Sequence, residues 1–473
     1  MSSPTLTQLL QRLDGVLTVT NNTVTVANPA KLRTKARFLA EQSALGSGAE
    51  RGFAQWLIWE AAHACGIVPS SIHELYLARG RGVTPANFTV PAMNLRAMSF
   101  DSGRAVFRAA KKHDAGAIIF EIARSEMGYT DQRPAEYASS ILAAAIAECH
   151  TGPVFIQGDH FQASAKKYAS DPDAEVQGVK DLISEAVQAG FFNIDIDTST
   201  LVDLSQPTVL AQQSHNTGRC AELTAHVRAL QPSGITISTG GEIGEVGGKN
   251  SNEEELRAFM EGYSAELAMR AGELTGISKI SVQTGTSHGG VVLPDGTMAQ
   301  VAVDFDTLHR LSHVAREEYH LAGAVQHGAS TLPENMFRKF AEAGACEVHL
   351  ATNFQNMLYE RLPGPLREEM YAYVREHAAD ERKPKDTEEQ FFYKTRKKAI
   401  GPFKAQLWGM PEEVRSEVEV AWEKQFSFLF EQLNVAGTRA MALQHTTLIT
   451  IHKQPSDYLG EEAQVEVPQD LAD

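Results

Sequence analysis

From about residue 88 onward the chain alternates between short β-branched runs and longer stretches with apolar residues at helical spacing. Eight runs read as strands, at 88–94, 117–123, 153–160, 193–199, 235–243, 279–285, 322–327 and 346–352. Between them, 100–113 carries Val106, Phe107, Ala109 and Ala110, and 135–149 carries Ile141, Leu142, Ala145 and Ile146. A third stretch, 176–189, carries Val179, Leu182, Ile183, Ala186 and Val187, with Gly190 placed to end the helix. Strands alternating with helices demand parallel βαβ units. Eight such units match a TIM barrel, typically ~250 residues before insertions. The predicted fold is α/β: a (β/α)8 TIM barrel at 88–377, with mostly helical extensions at 1–87 and 378–473.

The extensions carry few signals. In the first, 16–20 and 23–26 read as a small β element around Asn21-Asn22, followed by a helical segment at 29–66. The second holds Arg382-Lys383-Pro384-Lys385 and Arg396-Lys397-Lys398, interleaved with acids such as Glu388 and Glu389, which describes a solvated face. A helix is expected at 412–433, then an acidic tail. The formal net charge of −16 excludes a general nucleic-acid binder, whose affinity rests on basic surface. No apolar run is long enough to cross a bilayer, and the first residues lack the features of a signal peptide. Four scattered cysteines show neither metal-ligand spacing nor a disulfide framework, so a reducing cytoplasm is the expected compartment. Self-association into a homo-oligomer is compatible with the large additions.

Three histidines close strand-like runs: His160 after Gly158-Asp159, His288 before Gly289-Gly290, and His327 before Gly328-Ala329-Ser330. In a barrel that station is the rim where groups from different strands meet. Three imidazoles there describe a metal site with an open coordination position.

These residues resemble the class II, metal-dependent aldolases that cleave ketose bisphosphates. The resemblance covers roughly residues 88–360. It rests on Gly158-Asp159-His160, Ile196-Asp197-Thr198-Ser199, the Glu242-to-Gly248 segment, Ser287-His288-Gly289 and His327-Gly328-Ala329-Ser330, in that order. Gly158-Asp159-His160 and Tyr129-Thr130 are also similar to an accessory subunit related to tagatose-bisphosphate aldolase. The resemblance implies that His160, His288 and His327 hold a divalent metal, Zn²⁺ being the expected ion, with Glu242 and Asp197 binding or orienting it. Asp159 matches the general acid/base at the C4 hydroxyl; its alternative role is to orient His160. Gly289, Gly328 and Ser330 match phosphate-binding positions, and Thr352 and Asn353 lie where barrels commonly cradle phosphate. The implied activity is a cytoplasmic lyase of carbohydrate metabolism such as glycolysis. It would cleave fructose-1,6-bisphosphate or a related ketose phosphate to dihydroxyacetone phosphate and an aldehyde.

The chain departs from that pattern in three places. Asn250 stands where the family's proton-abstracting glutamate is expected, leaving Glu245, Glu253 and Glu254 as local substitutes. The eighth strand reads His349-Leu350-Ala351-Thr352-Asn353 in place of Asn-Ile-Asp-Thr-Asp, and Gln157 replaces a histidine. No lysine stands at the end of a barrel strand, which disfavours Schiff-base chemistry. The altered contacts admit an alternative, a non-catalytic accessory subunit of a tagatose-bisphosphate aldolase.

Overall fold

The computed structural model describes residues 3–244, 249–285, 303–460 and 471. Strands β1 (Leu17–Thr20) and β2 (Thr23–Val26) form an antiparallel hairpin. Its turn places Asn21 and Asn22 at φ 51° and 59°, the left-handed pair that asparagine tolerates. Next comes β3 (Ile67–Ser70), followed by β4 (Val90–Asn94), β5 (Ile119–Ala123), β6 (Gly152–Gln162) and β7 (Asn193–Asp197). The remaining strands are β8 (Ser238–Glu242), β9 (Lys279–Val282), β10 (Ala324–Gln326) and β11 (Glu347–Leu350). Strands β4 to β11 pair in parallel in chain order, and β11 pairs with β4, closing an eight-stranded barrel. The eight strands expected from sequence are these eight, and the fold is a (β/α)8 TIM barrel with helical extensions.

Strand β3 was not anticipated from the sequence. It pairs parallel with the first half of β6, Ile67 against Gly152 and Ser70 against Phe155, while the second half of β6 pairs with β7. Asn193 holds it in place: its Nδ2 donates to Ser70 O (3.2 Å) and Ile156 O (3.0 Å), and its Oδ1 accepts from Ile72 N (2.9 Å). A four-residue strand containing Pro69 has too little periodicity to register in a sequence pattern.

The helical segment expected at 29–66 is two helices, Pro29–Leu45 and Gly48–Ala64, which pack on the barrel helix Pro134–Ala147. At the other end, helix Glu412–Gln432 lies along helix Ser99–His113, and Trp422 Nε1 donates to Phe354 O at 3.0 Å. The two termini then meet. Trp59 Nε1 donates to Ile451 O (2.7 Å) and Trp56 Nε1 to Lys453 O (2.9 Å). No helix among the described residues is long and apolar enough to cross a membrane.

Gly190 ties this assembly to the barrel. It ends helix Pro172–Ala189 at φ 100°, and a Cβ there would lie 2.6 Å from Trp59 Cζ3. Gly190→Ala is therefore expected to destabilise by about 1–3 kcal/mol through overpacking, before backbone strain is added. The midpoint of urea denaturation measures this; an unchanged midpoint would mean that Trp59 moves aside freely.

Candidate active site and metal centre

The site is built around an irregularity in β6. Gly158 pairs with Ile194 and Phe161 with Ile196, so β6 uses three residues where β7 uses two. This is a β-bulge, a device that re-aims side chains beside active sites. It falls on Asp159-His160, with His160 at φ 38°, a conformation uncommon for a non-glycine residue. Gly158 permits the bend because a Cβ there would sit 2.4 Å from the Phe161 ring. The Asp-His pair is thereby carried onto the rim.

Three strand ends converge there. Ligand atoms of His160, Glu242 and His327 all lie within 4.8 Å of one another, and all three residues are buried. Asp197 stands behind His160, accepting from Nδ1 at 3.0 Å, and Glu242 Oε2 is 3.5 Å from the same nitrogen. Asp197 is itself fixed through bonds from Ser199 N (3.0 Å) and Ser199 Oγ (2.7 Å), with Gln162 on its other oxygen. It orients the imidazole and sets the tautomer of the neutral ring, leaving Nε2 as the lone-pair nitrogen. His327 Nε2 is 3.0 Å from Ser281 Oγ, and its ring lies 4.1 Å from that of His160. His288 and Gly289 lie outside the described residues.

Asp159 adjoins the cluster without hydrogen bonding to His160, whose Nε2 is 3.9 Å away. Its Oδ1 accepts from His349 Nδ1 (2.9 Å) and its Oδ2 from Asn94 Nδ2 (2.8 Å). Burial would raise its pKa, but the imidazoles of His160, His349 and His327 outweigh that and hold it well below the usual carboxylate range.

Beneath the rim lies a layer of charge. Glu121, Asp195, Lys279 and Glu347 come from four alternate strands, β5, β7, β9 and β11, and each is at most 5% exposed. A barrel usually fills such a layer with branched apolar side chains. Here Lys279 Nζ donates to Asp195 Oδ2 (2.9 Å), Gln157 Oε1 (2.8 Å) and Glu347, while Gln157 Nε2 bridges Glu121 (2.8 Å) and Glu347 (2.9 Å). The lysine starts its strand and is engaged by carboxylates. It is an ion-pair partner in the barrel interior, not a nucleophile at the rim.

The charge balance shows that this site fits a cation. Six buried carboxylates, Glu121, Asp159, Asp195, Asp197, Glu242 and Glu347, face Lys279 and the histidines 160, 327 and 349. Even with every imidazole charged, two negative charges stay uncompensated. The metal-free protein relieves them by protonation. Burial and the charges of Asp159 and Asp197 push Glu121 and Glu242, respectively, up to about 8, against the pull of nearby imidazoles. Burial would lower His160, but Asp159, Asp197 and Glu242 raise it to about 10. His160, His327 and Glu242 could hold a divalent ion, which would take the place of those protons.

A small cavity opens over the cluster, bounded by Asp159, His160 and His327, with Asn94, Arg96 and His349 on its wall. Gly328, Ser330 and Thr352 line it too. Gly328 is at φ 69°, and Ser330 Oγ accepts from Ala351 N at 2.7 Å, tying the seventh rim loop to the eighth. Thr352 opens helix Thr352–Arg361, so the positive end of that helix borders the cavity. Asn353, half-buried, follows it on that helix and does not line the cavity.

The loop after β8 answers part of the question raised by Asn250. Asn250 Nδ2 donates to Asp304 Oδ2 at 3.0 Å, a structural contact. Glu253 Oε1 accepts from Arg310 at 2.9 Å, on the outer face of the barrel, and Glu254 is exposed. Glu245 lies outside the described residues.

Sequence reading missed Asn94, Arg96, Lys279 and His349. The available signal was alternation: Gln157/Asp159, Asp195/Asp197, Lys279/Ser281 and Glu347/His349 are polar pairs two apart, and so share one strand face.

The family model for class II fructose-bisphosphate aldolase matches residues 83–406, well over half of the chain. Among solved structures, a protein described as a probable tagatose 6 phosphate kinase from Sinorhizobium meliloti 1021 superposes with TM-score 0.52 and 17% identity, covering 76% of this chain and 98% of that one. A fructose-bisphosphate aldolase from Campylobacter jejuni is similar at 17% identity and TM-score 0.47, covering 79% of this chain and 96% of its own. At 17% identity the first of these speaks for the fold alone, and the second, at TM-score 0.47, adds nothing to it. The family match, which spans the bulged Asp-His pair and the strand ends that converge on it, is decisive: the chain belongs to the class II fructose-bisphosphate aldolase family.

Proposed function

We propose that this protein is a metal-dependent aldehyde-lyase that cleaves a phosphorylated ketose reversibly to dihydroxyacetone phosphate and an aldehyde. The observation carrying this reading is the gathering of His160, Glu242 and His327 beside Asp159 in one rim cavity. Those three residues, with His288 as a further candidate, would hold the ion, Zn²⁺ being the one suited to imidazole and carboxylate donors. Bound there, it would supply Lewis acidity for the negative charge left on the ketone fragment. Asp159 accepts the C4 hydroxyl proton as the C3–C4 bond breaks, with its electron pair left on the ketone fragment and the aldehyde released. A proton from solvent delivered to C3 then yields dihydroxyacetone phosphate, and Asp159 returns its own proton to solvent. Gly328, Ser330 and Thr352 would seat the phosphate through backbone N–H groups and the helix end.

The test couples metal analysis to triose phosphate release from fructose-1,6-bisphosphate and tagatose-1,6-bisphosphate, with and without a chelator. One equivalent of metal and chelator-sensitive release are expected; metal-free protein with full activity would end the reading. Zn²⁺ addition should also release protons, because Glu121, Glu242 and His160 hold them in the metal-free site. Apparent affinity should therefore rise with pH from 6 toward about 8, as those protons become easier to displace, and calorimetry in buffers of different ionisation enthalpy measures the release. A second reading, the non-catalytic accessory subunit, draws on Asn250, whose amide serves Asp304 and cannot take a proton. Absence of both cleavage and proton exchange with every ketose phosphate would favour it.

A further inference from the structure

His349 has no role in the reading so far, yet both of its ring nitrogens are held by buried carboxylates. Its Nδ1 donates to Asp159 Oδ1 at 2.9 Å and lies 3.1 Å from Glu121 Oε1, while Nε2 donates to Glu347 Oε1 at 2.7 Å. An imidazole with carboxylates at both nitrogens cannot turn without breaking two buried, charge-assisted hydrogen bonds. Glu347 is anchored in turn by Lys279, Gln157 and Tyr76. The other oxygen of Asp159 is held by Asn94, which Glu126 Oε2 fixes at 2.9 Å. Asp159 is therefore clamped from two sides, one anchored in the charged layer and the other in the helix Arg124–Thr130 that follows β5.

We propose that His349 is a positioning residue for Asp159: it locks the carboxylate in the rotamer that faces the substrate's C4 hydroxyl and ties it to the Lys279 layer. The proposal rests on the lyase reading above. An amide, which stands here in the family pattern, has one donor end; an imidazolium donates at both ring nitrogens, so it spans from Asp159 to Glu347. Misplacing a catalytic group by about 1 Å can cost on the order of 10²-fold in rate. A competing role exists, since Asp159, His327 and His349 also lie within 4.8 Å of one another and the His327 and His349 rings are 4.1 Å apart. In that case His349 would be a metal ligand.

The full-length protein and its His349→Leu, His349→Asn, Asn94→Ala, Asp159→Ala and Asp159→Ala/His349→Leu variants decide between them. Three readouts are needed: cleavage of fructose-1,6-bisphosphate and tagatose-1,6-bisphosphate, exchange of the C3 proton of dihydroxyacetone phosphate in D₂O, and the visible spectrum of the Co²⁺-substituted protein. Exchange needs the enediolate but not the C4 hydroxyl, so it bypasses Asp159. Positioning predicts that His349→Leu lowers kcat for cleavage about 10–100-fold, with exchange kept within about twofold and the Co²⁺ spectrum unchanged. The double variant should be no slower than Asp159→Ala alone, and His349→Asn should recover part of the loss. Asn94→Ala, which loosens the second arm, should reproduce the pattern if His349→Leu fails to fold. Retained cleavage in His349→Leu, a parallel loss of exchange, or a multiplicative double variant would overturn the proposal, and an altered Co²⁺ spectrum would make His349 a ligand. A wild type that neither cleaves nor exchanges brings down the lyase reading itself; one that does both leaves only His349 at stake.

Discussion

Alanine at position 159 is expected to lower ketose cleavage on the order of 10²–10⁴-fold, the range for a positioned acid/base, with metal content unchanged. The geometry separates the two effects. Asp159 hydrogen-bonds to His349 and Asn94, and His160 Nε2 stays 3.9 Å from it, so the set His160, Glu242 and His327 does not depend on it for orientation. Asp197 is the contrasting case. Because it holds His160 Nδ1 at 3.0 Å, Asp197→Ala should weaken metal binding about 10–100-fold. Metal analysis after gel filtration, beside a coupled triose phosphate assay, reads both variants. Parallel loss of metal and turnover in Asp159→Ala would reassign that carboxylate to metal support.

The barrel was legible because its strands and helices have different periods, and eight repetitions of that contrast leave few other folds. His160 and His327 were legible because each closes a strand-like run, His160 after Gly158-Asp159 and His327 before Gly328-Ala329-Ser330. What the sequence concealed was everything that depends on register. The bulge at Asp159-His160 is a relation between β6 and β7, visible only once Gly158 meets Ile194 and Phe161 meets Ile196. His349 looked like a lost substrate contact because the family pattern places an amide there; its partners, Asp159 and Glu121, are more than 180 residues away in the chain. Lys279 was passed over because it begins a strand instead of ending one. Inside a tilted barrel, however, the start of one strand is level with the middle of another, and register pairs Lys279 with Gly240, which in turn pairs with Asp195. Strand β3 escaped for a simpler reason: four residues including a proline resemble a loop.

Lys279→Met tests whether that interior layer is structural in its own right. The variant has similar length and apolar character, so packing is largely conserved, but Asp195 and Glu347 lose the cation between them. Breaking a buried pair by removing one partner typically costs 3–5 kcal/mol, because the remaining charge stays desolvated. Lys279 is 1% exposed and Glu347 fully buried, so solvent does little to screen the loss. Glu347 also supplies a pH signature. Burial would raise its pKa, but Lys279 and His349 outweigh that and hold it at about 2, so its contribution is present above its unfolded value near 4.3 and fades as pH falls toward 2. Removing the lysine takes away the largest single one of those supports, its charge. Acid unfolding of Lys279→Met should begin at higher pH than in the wild type, and the urea midpoint at pH 7 should drop sharply. Adding Glu347→Gln and Asp195→Asn should restore much of the loss, since the uncompensated charges disappear with the lysine. A single variant within about 1 kcal/mol of wild type would show that the two carboxylates simply take up protons when Lys279 is gone. In that event the layer could not be what anchors His349 and, through it, Asp159.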